Sequence, residues 1–378
     1  MRYCFVTVIN TLIASRILTM GNNYQHLFTP LKLGALELPN RFIMAPLTRA
    51  RTEVDHIPTA LMAEHYAQRA SGGLIIAEAT MAMEGCSAFW KEPGIYSAEQ
   101  IAGWKVVTDA VHAKGGRILL QIWHGGRACH PALNGGKTPV APSAIAINDE
   151  VHTPEGKLPY TVPRALELGE IPTIIEGFKQ AAINAKEAGF DGVEVHGANG
   201  YILDQFLRDG SNKRSDEYGG SIENRSRLLF EVLEAVIDVW GSDRVGLRLS
   251  PVNSYNDIID SDPKALTQYV CDKLNHYKLA FLHFMRADFF GLQNDDVMSV
   301  AQATYTGNLI GNMGYDANEA EKAIADNKLT AVAFGVSYLA NPDLPERVNA
   351  GAELNQPNPE TFYTPGAEGY TDYPFMKN

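Results

Sequence analysis

The residues best suited to do chemistry stand together at His196-Gly197-Ala198-Asn199-Gly200-Tyr201, directly after the apolar run Val193-Glu194-Val195. A histidine, a carboxamide and a phenol within six positions offer two hydrogen-bond donors and a proton carrier. Gly197 and Gly200 free the backbone there, so side chains can be aimed at a ligand without a bulky neighbour. The set holds no activated nucleophile. Its spacing fits no metal motif such as H-x-x-x-H, and no metal is expected; His196 and Asn199, three apart, suit holding an oxygen better than gripping zinc. Read alone, the stretch has a second, less favoured reading as a capped strand end whose polar groups satisfy local backbone.

Other reactive positions also close apolar runs. Pro46-Leu47-Thr48 follows one, Ala79-Thr80 another, and Gln121, Trp123 and His124 end a third. Arg248 sits inside Val245-Gly246-Leu247-Arg248-Leu249. A buried guanidinium must face a ligand or be paired, because an unpaired buried charge is very costly; Glu78 and Glu194 are candidate partners. Gly311-Asn312-Met313-Gly314 and Gly335 end two more runs, where glycines let backbone amides approach a phosphate. None of these runs ends in lysine, which argues against a Schiff-base aldolase.

The elements that must position these residues form a repeating pattern. Strand-like runs occur near 41–46, 73–79, 117–123, 193–195, 245–250, 280–284, 308–311 and 331–335. Helical periodicity separates most of them. Ser97-Ala98-Glu99-Gln100 reads as a capping box, and further helices span 174–189, 221–237 and 262–274, with another starting at Asp316. Eight buried strands alternating with helices predict an α/β fold, a (β/α)₈ TIM barrel in one domain over 23–378. The Gly- and Pro-rich segment 125–170 is expected as a long excursion after the third strand, with a possible hairpin over the barrel mouth. A doubly wound sheet is the alternative, but no G-x-G-x-x-G follows the first strand.

Composition narrows the function classes. The 378 residues are 45% hydrophobic with a net charge of −12. No basic run offers a nucleic-acid or anionic-membrane surface. The four cysteines, Cys4, Cys86, Cys129 and Cys271, form no C-x-x-C pair, which disfavours zinc ribbons and iron–sulfur clusters and fits a reducing, cytoplasmic setting. Residues 1–22 read as a loose extension: Asn10, Thr11 and Arg16 break up what would otherwise resemble a signal sequence.

The motifs resemble those of the Old Yellow Enzyme family, FMN-dependent ene-reductases. The similarity runs from about Leu27 to Pro374. It is carried by Met44-Ala45-Pro46-Leu47-Thr48-Arg49, Gln121-Ile122-Trp123-His124-Gly125-Gly126-Arg127, His196 to Tyr201, Ser211 to Arg225, Ala340-Asn341-Pro342-Asp343-Leu344 and Ala367 to Pro374. The resemblance implies FMN at the barrel mouth, reduced by NADPH or NADH, and an electrophilic alkene or nitro compound as substrate, with no nucleic-acid or membrane partner, in a monomer or homodimer. Pro46, Leu47, Thr48 and Ala79 would contact the flavin, Thr48 through a ring carbonyl. Gln121 and Arg248 would hold the pyrimidine side, and Gly311, Asn312, Gly314 and Gly335 would surround the phosphate. His196 and Asn199 would bind the substrate oxygen, Tyr201 would donate a proton, and Trp123, Phe89 and Tyr363 would line the pocket.

Three departures matter. Asn199 stands where some members carry a second histidine. Val336 stands where many carry an arginine on the FMN phosphate, so weaker cofactor retention is expected. Phe89, in place of a tyrosine in some relatives, implies a more apolar rim. A flavin-free phosphate-binding isomerase or aldolase, and a non-catalytic flavin-binding protein, are the alternatives.

Overall fold

A computed structural model describes residues 24–377, so the extension expected over 1–22 lies outside the described residues. All eight expected strands form, each within two or three residues of the expected bounds. They are β1 (Phe42–Met44), β2 (Leu74–Met81), β3 (Ile118–Trp123), β4 (Gly192–Gly197), β5 (Val245–Leu249), β6 (Phe281–Met285), β7 (Leu309–Asn312) and β8 (Ala331–Phe334). Every neighbouring pair is parallel, and β8 pairs with β1 to close the barrel. Parallel strands need crossovers, which seven of eight principal helices supply, the eighth following β8. These are α1 (Ala60–Gln68), α2 (Ala98–Ala113), α3 (Ile171–Glu187), α4 (Ile222–Trp240), α5 (Pro263–Leu274), α6 (Val297–Thr304), α7 (Ala317–Ala325) and α8 (Leu344–Ala350). Their inner faces pack on the outward-pointing strand residues, as Phe178 and Val232 do against the layer that includes Val193 and Leu247.

Side chains alternate between the inside and outside of a barrel strand, so the inward residues stack in layers. The lowest layers are apolar: Leu74, Ile76, Leu119, Phe281, Ile310 and Ala331 meet the four leucines of a hairpin that pairs Leu31–Leu33 with Leu36–Leu38. This hairpin, with Leu at every second position, plugs the lower end. Above it lies a polar layer of Gln121, Glu194 and His283, and above that Trp123, His196 and Arg248. Register ties these together, with Glu194 opposite Gln121, His196 opposite Arg248 and Arg248 opposite His283.

One irregularity matters to the upper layer. Between β2 and β3 the register shifts, Ala77 facing Leu120 but Ala79 facing Gln121, so Glu78 is an extra residue. This bulge brings Ala79 into step with inward-facing Gln121 and sends Glu78 to the barrel exterior, where its carboxylate accepts from the Tyr66 hydroxyl and the Arg49 backbone. Burial pushes the Glu78 carboxyl up to about 7.

The excursion after β3 occurs where expected. It contains an antiparallel hairpin, Glu150–Thr153 with Gly156–Pro159, and a short parallel pairing of Val140–Ala141 with Arg164–Ala165. The expected helix starts also hold: Ser97 caps α2 in a reciprocal box with Gln100, Asp262 precedes Pro263 at α5, and Asp316 caps α7.

The Ser97 cap has a measurable consequence. Its side chain accepts from the Gln100 backbone, so Ser97→Ala leaves that donor unmet and lowers unfolding free energy by about 1 kcal/mol. Urea denaturation of the two proteins checks this; an unchanged midpoint contradicts it.

Candidate active site

The loop leaving β4 is shaped by backbone that few residues accept. Asn199 and Gly200 are left-handed, with φ of 57° and 73°. Asparagine tolerates this conformation. A Cβ on Gly200 would also lie 2.7 Å from the Tyr255 carbonyl and from Asn256 Cβ, so glycine is required there. The loop is then fastened on several sides. The Asn199 N–H donates to Ser250 Oγ (2.8 Å), the Gly200 N–H to Asp204 Oδ2 (2.9 Å), and Asn256 Nδ2 donates to the Asn199 carbonyl (2.8 Å). Burial raises the Asp204 carboxyl to about 6.

These contacts decide which atoms of His196 and Asn199 remain to meet a ligand. His196 Nδ1 accepts from the Ala198 N–H, so the ring proton lies on Nε2. Burial, then the nearby Arg248 and His283, hold this imidazole well below its usual range and keep it neutral. Asn199 Oδ1 accepts from Asn253 Nδ2 (2.8 Å), so its own Nδ2 is left to donate. The two side chains therefore offer two donors. Tyr201 stands beside them, its ring 5.1 Å from His196 and 4.4 Å from buried Trp123, both edge-on. Burial raises its phenol well above the ordinary value, so it holds its proton at neutral pH.

Below this group the polar layer is oriented in the same way. Gln121 Nε2 donates to Glu194 Oε1 (2.7 Å), which leaves Gln121 Oε1 as an acceptor. Glu194 also accepts from His283 Nδ1 (2.8 Å). Arg248 makes no ion pair with either candidate glutamate; its Nη2 donates to Asn312 Oδ1 (2.9 Å), while its buried Nε has no partner among the described residues. Asn312 in turn donates to the Ala333 carbonyl (2.8 Å), so its side chain serves Arg248 and β8. An acceptor beside a cationic donor matches a planar ring edge carrying adjacent N–H and C=O groups.

Pro46 is buried and Leu47 and Thr48 are half-buried after β1, next to β8. Gly335 follows β8, and a Cβ there would meet only Leu47, at 3.9 Å. Beyond β7 the chain turns through Met313 (φ 86°) and Gly314 (φ 71°). Val336, next to Gly335, points no charge at these loops and is 43% exposed.

A cavity of about 420 Å³ opens above Tyr201. Phe89 and Tyr363 stack at 6.1 Å across its rim, and Phe89 also leans on Trp123. Further walls come from Tyr160, Tyr255, Asn256 and the Glu150–Thr153 strand of the hairpin. Sequence reasoning singled out none of these, since each lies in an irregular loop far along the chain from the others. Tyr363 is carried by a tail that the β1 loop grips: Arg49 Nη2 donates to the Gly369 carbonyl (2.7 Å), Arg51 Nη2 to that of Thr361 (2.8 Å) and Arg51 Nε to that of Gly366 (3.0 Å).

Comparison with known proteins gives a consistent picture. The NADH:flavin oxidoreductase / NADH oxidase family model matches residues 26–355. The chain is 53% identical over 353 residues to a probable flavin mononucleotide-dependent alkene reductase of Leishmania infantum, covering 92% of this chain and 96% of that one. It is 44% identical over 359 residues to 12-oxophytodienoate reductase 1 of Oryza sativa subsp. japonica, covering 93% of each. Among solved structures, the old yellow enzyme from Trypanosoma cruzi superposes with a TM-score of 0.92 at 44% identity, covering 94% of this chain and all of that one. Morphinone reductase gives 0.89 at 48% identity, covering 94% and 98%.

The His196 geometry predicts its titration. With the charged form disfavoured, the imidazole keeps its Nε2–H tautomer from pH 8 down to pH 6, and the folded protein binds fewer protons here than the unfolded chain as pH falls below 6.5. Nitrogen NMR of the labelled ring checks this; an imidazolium signal at pH 6 contradicts it.

Proposed function

This chain belongs to the NADH:flavin oxidoreductase / NADH oxidase family, among its Old Yellow Enzymes, and from that membership we propose how its own residues divide the reaction. It is an FMN-dependent oxidoreductase that draws reducing equivalents from NADH or NADPH and reduces activated C=C bonds. A flavin-free isomerase or aldolase is not favoured by that family membership.

The donor set fits the cofactor. Gln121 Oε1 and the cationic Arg248, whose Nε has no partner among the described residues, are complementary to the N–H and C=O groups of a flavin pyrimidine edge. Ala79, brought into step with Gln121 by the bulge, with Pro46 and Leu47, would give the ring a flat apolar support, and the Thr48 hydroxyl would reach a ring carbonyl. Gly314 and Gly335, with Asn312 supporting Arg248, leave room for a phosphate near the ends of β7 and β8, whereas a Cβ on Gly311 would meet the Leu329 side chain at 2.5 Å and the Tyr315 ring at 3.1 Å, so that glycine serves packing. When bound, FMN supplies the electrons and the hydride that the alkene β-carbon receives.

The remaining work falls to side chains. Arg248 stabilises negative charge at the pyrimidine end. His196 Nε2–H and Asn199 Nδ2–H hold the carbonyl or nitro oxygen and draw electron density from the β-carbon. Tyr201 gives its proton to the α-carbon: the C–H bond forms as the phenol O–H bond breaks, and solvent returns a proton to the phenolate. Trp123, Phe89 and Tyr363 line the pocket for enones, maleimides and nitroalkenes. The observation carrying this reading is the pair of donors left free on His196 and Asn199 beside a phenol that burial keeps protonated. No helix among the described residues is long and apolar enough to cross a membrane. Cytoplasmic residence is part of the same proposal, supported by the free thiols of Cys86, Cys129 and Cys271.

Purified protein should show flavin absorbance that bleaches with NADPH under anaerobic conditions; protein still colourless after FMN soaking contradicts the function. Tyr201→Phe should slow reduction of poor acceptors by roughly 10²-fold while leaving reduction of the bound flavin by NADPH within about twofold. Equal losses in the two half-reactions, measured by stopped flow, would sink the proton-donor role. Val336→Arg should tighten FMN by roughly tenfold through a charge-assisted contact, read by equilibrium fluorescence titration; an unchanged affinity argues against a cation-poor phosphate site.

A further inference from the structure

Asn312, Met313 and Gly314 present three successive carbonyls, and a single residue takes all three. Arg286, the first residue past β6, donates from its backbone N–H to the Asn312 carbonyl (3.3 Å), from Nε to that of Met313 (2.8 Å) and from Nη2 to that of Gly314 (3.1 Å). The chain has no cis peptides among the described residues, and a trans peptide points its C=O and N–H to opposite sides. Fixing these carbonyls on Arg286 therefore turns the N–H groups of Met313, Gly314 and Tyr315 the other way. Neither Gly314 nor Tyr315 donates from its N–H to a protein group among the described residues, while the Met313 N–H faces β8 opposite Ala333.

This arrangement carries a conformational cost. Met313 has a Cβ yet is held at φ 86°, a region that such residues avoid. What holds it there is a rigid guanidinium. Arg286 lies flat over the Tyr315 ring, 3.7 Å from its centroid, and pairs through both terminal nitrogens with Glu319 in the first turn of α7. Glu319 largely neutralises the arginine, so its contribution to the loop is shape more than charge. Successive amides facing one way in a turn form a concave anion site.

We propose that Arg286 is a positioning residue for the FMN phosphate, holding Gly314 and Tyr315 as an amide nest for that dianion at a strand end where Val336 brings no cation. The inference rests on the flavoprotein reading and adds to it a way of retaining the phosphate that uses backbone donors organised from behind.

The test separates the phosphate from the ring. Full-length protein stripped of flavin is titrated with FMN and with riboflavin, which carries the same ring system and no phosphate. Arg286→Met should weaken FMN by about tenfold or more and leave riboflavin within about twofold. Arg286→Lys, which keeps the charge but cannot reach both carbonyls, should lose nearly as much. An unchanged ratio of the two affinities, a parallel fall in both, or a wild-type ratio in the lysine variant overturns the proposal. Where the variants do not fold, hydrogen exchange in the unmodified protein decides: FMN should slow exchange of the peptide containing 313–315 and riboflavin should not, and equal slowing by both overturns it. Failure of the unmodified chain to bind either flavin instead removes the flavoprotein reading itself.

Discussion

A carboxylate enclosed at the centre of the barrel, Glu194, constrains most of what lies above it. A charge fully removed from water must be hydrogen-bonded and balanced, or its desolvation cost is uncompensated. Glu194 meets that condition with Gln121 on one side, His283 on the other and the positive Arg248 on the adjacent strand. Each partner is then committed. The Gln121 amide can present only its oxygen upward, and Arg248, balanced in charge but not bonded to the carboxylate, reaches Asn312 instead. Asn312 ties to the Ala333 carbonyl, so two bonded sets, one from β3 to β6 and one from β5 to β8, cross the barrel interior. The upper face inherits a fixed pattern of donors and acceptors before any ligand arrives, which is the preorganisation that electrostatic catalysis requires.

Much of this fold was legible in the sequence because barrel strands are buried on both faces and read as continuous apolar runs. The helix starts were equally readable, since Ser97, Ser221, Asp262 and Asp316 each cap through a side chain at a fixed offset. What escaped reading has physical reasons. The plug hairpin Leu31–Leu38 carries a period-two pattern, but it is only three residues a strand. Helices α1, α6 and α8 are short and begin outside the strongest periodic stretches. The bulge at Glu78 is a matter of register between strands, which no single strand announces.

The site divides along the same line. His196, Asn199 and Tyr201 are adjacent in sequence and so declared themselves. Of the two ways open to Arg248, the pairing with Glu78 or Glu194 does not form, because a carboxamide from β7 takes its place and the bulge turns Glu78 away from the interior. Tyr160, Tyr255 and the Arg286 loop were invisible for a different reason. They act through positions brought together only by the closed barrel, and capture of backbone carbonyls leaves no residue pattern to detect.

The grip of Arg49 and Arg51 on residues 361–369 bears on the order in which the molecule is assembled. The β1 loop is made long before its partners at Thr361, Gly366 and Gly369, which lie 310 to 320 residues further along the chain. The barrel itself cannot close until β8 reaches β1, so both the first strand and the first loop wait for distant partners, the slowest kind of contact to form. Assembly of the pocket is thus a late event: the floor is set with the sheet, and the wall that bears Tyr363 is fastened afterwards. Shortening the tail would loosen the rim while leaving every barrel strand paired, so the selectivity of the pocket and the integrity of the fold are separable properties of this chain.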